Sequence, residues 1–198
     1  MKKIPSQLYL WDKRTLYIGP LSEPIDLSQG AATLTIALNG TIEFKTPQMP
    51  SSIECRSLLL PPGLKVSVNT KDNIIANCNL DPVGADWTAL REQTLNEQDN
   101  AAYNIRNEEF YRDRFNCIYQ DQLDAKHAYP LLKEMLDYAV AQQTIPHKID
   151  QRIMDVIERI KSNVDDNLSI ESLAESINLS VPRLVQLFKL QTGVPIRR

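Results

Sequence analysis

The chain has 198 residues, of which 42% are hydrophobic and 24% charged, and 22 Lys and Arg against 25 Asp and Glu give a formal net charge of −3. This balance is typical of a globular protein with one large or two small domains, and it excludes disordered, collagen-like and coiled-coil chains. Three cysteines make a poor disulfide framework. Two histidines, His127 and His147, are too few for a catalytic or metal-binding cluster, so no metal and no cofactor is expected.

The sequence carries no pattern of export or membrane insertion. Asp12, Lys13 and Arg14 interrupt the amino-terminal segment, where a signal peptide would need an apolar run. No window approaches the length of apolar sequence that crosses a bilayer. We therefore expect a soluble, cytoplasmic protein with no membrane partner.

Residues 1–85 have the pattern of short β-strands separated by turns. Leu34, Ile36 and Leu38 alternate with polar residues. Asn39-Gly40 follows them and predicts a hairpin, because both residues tolerate a positive φ. Further strands are predicted over residues 41–45, 57–60, 64–68 and 73–80. Short strands with frequent turn residues predict a small β-barrel or sandwich.

The next region has helical spacing. Residues 87–125 are polar and compatible with helices, and Pro130 stands where a further helix could begin. That helix has one apolar stripe, formed by Leu131, Leu132, Met135, Leu136 and Ala139. The stripe belongs either to a dimer helix or to a plain core helix. Residues 86–145 are interpreted as a helical connector, and residues 144–147 as a linker.

The last region predicts three helices. Apolar residues recur at three- and four-residue steps from Ile149 to Val164, which indicates an amphipathic helix. Ser169 is a good N-cap for a short helix over residues 170–177. Ser180 is the predicted N-cap of the next helix, and Pro182 lies in its first turn, where a missing N–H is harmless.

This third helix has a clear inner face and a clear end. Leu184, Leu187 and Phe188 form the inner face, and Gly193 supplies the left-handed residue that can follow a helix. Two short helices joined by a tight turn form a helix-turn-helix, whose second helix can enter the major groove of DNA.

The residue pattern closely resembles the first helix-turn-helix of AraC/XylS-family transcription regulators. The residues that carry this resemblance are Leu168-Ser169, Leu173-Ala174, Leu179-Ser180, Leu184, Phe188-Lys189 and Thr192-Gly193. It extends over residues 149–198. Many members of that family carry an amino-terminal cupin-like β-barrel that senses a small effector, followed by dimerisation helices, and Leu59-Leu60-Pro61-Pro62-Gly63 is similar to a cupin-type sensor.

The resemblance implies an α+β fold, in which a cupin-like β-barrel or sandwich precedes an all-helical region with a helix-turn-helix. Residues 1–85 would be the effector-sensing domain and residues 146–198 the DNA-binding domain. The candidate DNA-binding residues are Ser180, Pro182, Arg183, Val185, Gln186 and Lys189. Among them Gln186 is expected to read adenine, and Arg183 and Lys189 to contact phosphates. Pro182 and Val185 could make apolar contact with a thymine methyl group.

The function that the resemblance implies is sequence-specific transcription regulation, not catalysis. The expected partners are double-stranded operator or promoter DNA, a small-molecule effector, RNA polymerase and a second copy of the chain, with which a homodimer could form through residues 86–145. Two alternatives stay open: a metal-free cupin-like enzyme with a helical appendage, and a truncated regulator that acts through dimerisation. A gel shift with specific DNA would separate the regulator from the enzyme.

Charge and length bear on the strength of DNA binding. Family DNA-binding regions have two helix-turn-helix units, whereas this sequence matches only the first, so residues 146–198 are expected to be a partial domain. Residues 148–198 hold eight basic and seven acidic side chains, a small excess for a module that attracts phosphate. Both observations predict a truncated regulator that binds DNA weakly by itself.

Overall fold

The computed structural model describes residues 5–81, 84–143, 149–163, 168–192 and 195–196. The chain divides into two compact units, residues 1–145 and residues 146–198. The predicted linker at residues 144–147 lies outside the described residues. Strands dominate the first unit and helices make up the second, which confirms the α+β prediction.

The first unit contains eleven described strands and three described helices. The strands are β1 (Gln7–Leu10), β2 (Thr15–Pro20), β3 (Ile25–Leu27), β4 (Ala32–Ala37), β5 (Ile42–Lys45), β6 (Ile53–Cys55), β7 (Ser57–Leu60), β8 (Val66–Asn69), β9 (Ile74–Leu80), β10 (Thr94–Gln98) and β11 (Ala101–Ile105). The helices are α1 (Ala85–Glu92), α2 (Glu108–Gln120) and α3 (Ala125–Ala141). The strands predicted over residues 57–60, 64–68 and 73–80 correspond to β7, β8 and β9.

The strands form two antiparallel sheets. The larger sheet has the order β1-β2-β9-β4-β7-β11-β10, and the smaller has the order β3-β8-β5-β6. One face of the larger sheet packs against α1, α2 and α3 around Leu34, Ile36 and Phe115. Its opposite face packs against the smaller sheet around Phe44, Leu58 and Val68. The described helices of this unit therefore form a layer on one side of the sandwich.

The predicted hairpin at Asn39-Gly40 is wrong. Gly40 does have a positive φ of 63°, but the strands on either side of the turn enter different sheets. β4 pairs with β7 and β9, while β5 pairs with β6 and β8. Asn39 instead bonds to the start of β9, where its side-chain oxygen accepts from the backbone N–H of Ile74 at 2.7 Å. The turn is thus a corner between the two sheets.

The helical interpretation of residues 87–125 is wrong for its central part. Residues 94–105 form the hairpin of β10 and β11, and β11 pairs with β7 in the larger sheet. The two-residue turn is Asp99-Asn100, with φ of 49° and 66°. Positive φ at both central residues is the geometry that matches the twist of a hairpin. The connector therefore contributes two strands to the sandwich.

Helix α3 begins earlier than predicted. The Asp124 side chain caps it by accepting from the backbone N–H of His127 at 2.9 Å, and Pro130 lies inside the helix. The predicted apolar stripe faces the core of its own unit, because Leu132, Met135, Leu136 and Ala139 are buried and Leu131 is partly buried against them. The structure therefore favours the core-helix alternative for this stripe.

The described part of the second unit contains three helices. They are α4 (Gln151–Ser162), α5 (Ile170–Ser176) and α6 (Val181–Thr192). Their core is small and entirely local, with eight buried hydrophobic residues: Ile153, Val156, Leu173, Ala174, Ile177, Leu184, Leu187 and Phe188. The predicted helix end at Gly193 lies outside the described residues.

Candidate nucleic-acid interface

A short capped helix precedes α6 and fixes its position. Ser169 caps α5 as predicted, because its side-chain oxygen accepts from the backbone N–H of Ser172 at 3.0 Å. The side chains of Leu173 and Ala174 are buried. Since Ala174 is small, the neighbouring helix can approach α5 closely at this point.

A tight turn connects α5 to α6. Asn178 has a φ of 53°, a left-handed conformation that asparagine tolerates better than most residues. The backbone N–H of Leu179 then bonds back to the carbonyl of Ala174 at 3.0 Å. Ser180 directly precedes α6, and its carbonyl accepts from Leu184 N–H at 2.9 Å. Only four residues, 177–180, therefore separate the two helices.

Helix α6 presents opposite faces to the core and to solvent. Leu184, Leu187 and Phe188 are buried, as the sequence predicts. The exposed residues include five of the six candidate DNA-binding residues: Ser180, Pro182, Arg183, Gln186 and Lys189. The sixth, Val185, is half-buried. The structure thus brings the candidate residues together on one surface.

Leu190, which is not among the predicted residues, lies on the same side of α6. Its side chain is 78% exposed, although leucine is usually buried in a helix of this kind. Leu190 follows Gln186 by four residues, a spacing that places two side chains on one helix face. This spacing is the signal that could have found it.

Two of the exposed side chains on α6 bond to each other. The Nη1 of Arg183 donates to the Oε1 of Gln186 at 2.9 Å. The residues are three positions apart, so the bond spans one helical turn.

A carboxylate lies near the start of α4. The backbone N–H of Asp150 donates to the side-chain oxygen of Gln191 on α6 at 2.9 Å. Its carboxylate accepts from Arg152 Nε at 2.9 Å and from Arg152 Nη2 at 2.5 Å. These bonds to Arg152 lower the pKa of Asp150 to about 2, and the positive charge of Arg183 contributes to the same shift. Arg183 thus interacts electrostatically with the carboxylate of Asp150 without a direct hydrogen bond to it.

Three basic residues that the sequence counts near this surface are not described. Lys148, Arg197 and Arg198 lie outside the described ranges. The described exposed cations of α6 are Arg183 and Lys189.

The first unit has a polar cleft between β6 and the segment that joins β11 to α2. The cleft has a volume of about 610 Å³, within the range of small-molecule sites. Arg56 Nε donates to Glu108 Oε2 at 2.8 Å, while Glu108 Oε1 is buried without a hydrogen-bond partner among the described residues. Asn104 and Arg106 also line the cleft.

Four aromatic residues of the first unit pack into two different cores. Tyr9, Trp11 and Trp87 pack into the core on the helical side of the larger sheet, and Phe44 packs between the sheets. The Tyr9 hydroxyl donates to the carbonyl of Leu123 at 2.7 Å. These residues therefore stabilise two separate cores.

All three cysteines are free thiols. Cys55 and Cys78 are buried free thiols. Burial raises the pKa of each to about 12, so neither ionises near neutrality. In the part of the chain that the structure describes, no group of three or more His, Cys, Asp or Glu side chains could hold a metal ion.

The sequence matches no protein-family model, and a search of curated proteins returned no match. By structure the chain is similar to the AraC-like transcriptional activator CuxR, with a TM-score of 0.52 and 13% identity over 96% of this chain and 75% of that chain. The two proteins share a fold. The resemblance inferred from the helix motif is therefore confirmed at the level of fold.

Two further solved structures are similar to the chain. Apo ToxT K231A from Vibrio cholerae strain SCE256 has a TM-score of 0.47 and 10% identity, over 94% of this chain and 96% of that chain. The EutQ protein of Clostridium difficile has a TM-score of 0.32 and 8% identity, over 37% of this chain and 64% of that chain.

None of the described helices is long and apolar enough to cross a membrane.

Proposed function

We propose that the protein is a transcription regulator that binds specific DNA sequences through α6 and responds to a small effector bound in its first unit. One observation carries the proposal. A four-residue turn sets α6 against a local core and leaves Arg183, Gln186 and Lys189 on its exposed face. This is the helix-turn-helix arrangement, in which the second helix enters the major groove.

The exposed side chains suit contact with a DNA duplex. The flexible cation of Lys189 suits phosphate oxygens, which carry no sequence information themselves. Arg183 and Gln186 suit phosphates and base edges, and Pro182 suits a thymine methyl group. Ser180 lies at the start of α6. Its side chain is exposed there and could contact the same stretch of DNA backbone.

The polar cleft beside β6 is the proposed effector site. It has the volume of a small-molecule site, and Arg56, Arg106 and Glu108 supply charged groups that could orient a ligand. The effector would change DNA binding, or contact with RNA polymerase, only if it binds one arrangement of the protein better than another.

A homodimer formed through residues 86–145 would use the exposed side of α3. The apolar stripe is occupied within the protomer. Tyr129 and Val140 are hydrophobic and at least one-third exposed on the same helix. They are the proposed contact residues of such a dimer.

The test of DNA binding is a titration with duplex DNA. The full chain is added to a fluorescent duplex of mixed sequence, and anisotropy is measured at several salt concentrations. We expect Lys189→Ala to weaken binding at every salt concentration and to reduce the slope of log affinity against log salt by about 1, because one phosphate contact is lost.

Lys161→Ala provides the control for this titration. Lys161 is an exposed lysine on α4, so its removal changes the net charge equally. We expect that variant to keep the slope of the unaltered protein. Salt-independent binding, no binding, or equal effects of the two substitutions would each contradict the proposed role of α6.

A further inference from the structure

We infer that Arg183 and Gln186 act as one recognition unit whose preferred base is guanine, not the adenine that Gln186 would select alone. The inference rests on the proposed function, since it names the base that the exposed face of α6 reads. Its basis is the hydrogen bond from Arg183 Nη1 to Gln186 Oε1 at 2.9 Å.

An isolated glutamine recognises adenine with both ends of its amide. The oxygen accepts from the N6 amino group while the nitrogen donates to N7. In this protein the oxygen already accepts from Arg183. A carbonyl oxygen has a second lone pair, but the adjacent guanidinium places positive charge where the N6 hydrogens of adenine would approach. That position therefore disfavours an incoming donor.

Guanine satisfies the same pair of side chains. Its O6 and N7 are both acceptors in the major groove. The amide nitrogen of Gln186 and the remaining N–H groups of Arg183 are all donors. Because both residues are exposed, a base edge can reach these donors without displacing the core of the unit.

The surroundings of Arg183 keep it available for this role. The nearby carboxylate of Asp150 accepts from both Nε and Nη2 of Arg152. The carboxylate of Asp150 is therefore already paired with Arg152. Arg183 lies close enough to interact with the charge of Asp150, but its hydrogen bond is to Gln186.

The test is selection of duplexes from a random library by the full chain, followed by sequencing. We expect enriched sites to carry guanine at the position that Gln186→Ala makes degenerate. Arg183→Ala should change that position from guanine to adenine, because it frees the amide oxygen of Gln186. The change in relative affinity for the two bases should be about tenfold, the scale of one bidentate contact.

Lys189→Ala is the matched control, since it removes a cation from the same face without touching the pair. It should weaken binding but enrich the same sequences as the unaltered protein. If the unaltered protein enriches adenine at this position, or if Arg183→Ala keeps guanine, the inference is wrong while the proposed function stands. If no sequence is enriched, the proposed function fails and this inference fails with it.

Discussion

The side chain of Asp150 both caps a helix and pairs with a cation. Its carboxylate caps α4 by accepting from the backbone N–H of Arg152 at 3.0 Å, and the guanidinium of the same arginine binds both carboxylate oxygens. These bonds favour the ionised form, so the pKa of Asp150 falls to about 2. Because the folded-state pKa is depressed, the stabilisation is present above about pH 4, the unfolded pKa, and is lost as the pH falls towards 2.

We predict that Arg152→Ala raises the pKa of Asp150 towards its ordinary value of about 3.9. The return is incomplete, because the backbone N–H at position 152 still donates to the carboxylate. Titration of the Asp150 carboxyl carbon by NMR measures this directly. Arg159→Ala, which removes an arginine from the last turn of α4, should leave the Asp150 titration unchanged. An Asp150 that titrates near pH 4 in the unaltered protein would contradict the prediction.

At the scale of elements, Gln93 joins three helices of the first unit. It follows α1, and its Nε2 donates to the carbonyl of Ala89 at 3.1 Å and to that of Ala139 on α3 at 2.9 Å. Its Oε1 accepts from the hydroxyl of Tyr111 on α2 at 3.1 Å. All of these bonds are buried. If one partner is removed, the remaining polar group has neither a protein partner nor water to bond with.

We predict that Gln93→Leu lowers the free energy of unfolding by about 2 kcal/mol and Tyr111→Phe by about 1 kcal/mol. The double variant should lose less than the sum, because the two residues share one bond. Urea unfolding followed by circular dichroism measures these differences. Tyr138→Phe is the control, since its hydroxyl bonds to Asn107 at an exposed site and its removal should cost under about 0.5 kcal/mol. Fully additive losses would show that the shared bond contributes little.

The elements that sequence could predict are those with at least one face in a core. β7, β8 and β9 were predicted because their apolar residues face the interior, and α5 and α6 because Ser169 and Ser180 precede them, at the positions where N-cap residues are expected. β10 was missed because four of its five residues are exposed, so no alternation marks it as a strand. Its turn, Asp99-Asn100, contains no glycine, which removes the usual hairpin signal. Pro130 suggests a helix start in the sequence, but α3 begins five residues earlier, because the missing N–H of Pro130 is tolerated inside that helix.

The same reasoning explains which parts of the candidate site were predictable. The exposed face of α6 follows from helical spacing once Leu184 and Phe188 are assigned to the core. The bond between Arg183 and Gln186 does not follow from spacing, because each side chain has several rotamers and other partners within reach. Strand pairing between distant segments has the same character, and so β4 and β5 could not be assigned to different sheets from a local pattern.

At the scale of the whole molecule, the two units have separate hydrophobic cores. Two clusters draw only on the first unit, and the third draws only on α4, α5, α6 and their flanking residues. A unit of 53 residues buries a smaller share of its surface than one of 145 residues. We therefore expect the second unit to be the less stable of the two and to unfold first.

This difference leads to a prediction that uses one substitution at two positions of α6. Leu184 is fully buried and Leu190 is 78% exposed. Leu184→Ala should cost about 3 kcal/mol, which is comparable to the whole stability of a helical unit this small. Hydrogen exchange should then show loss of protection in α4, α5 and α6 but unchanged protection in β4 and β9. Leu190→Ala should change neither the stability nor the protection of any of these elements. A loss of protection in β4 and β9 of the Leu184→Ala variant would show instead that the two units fold as one.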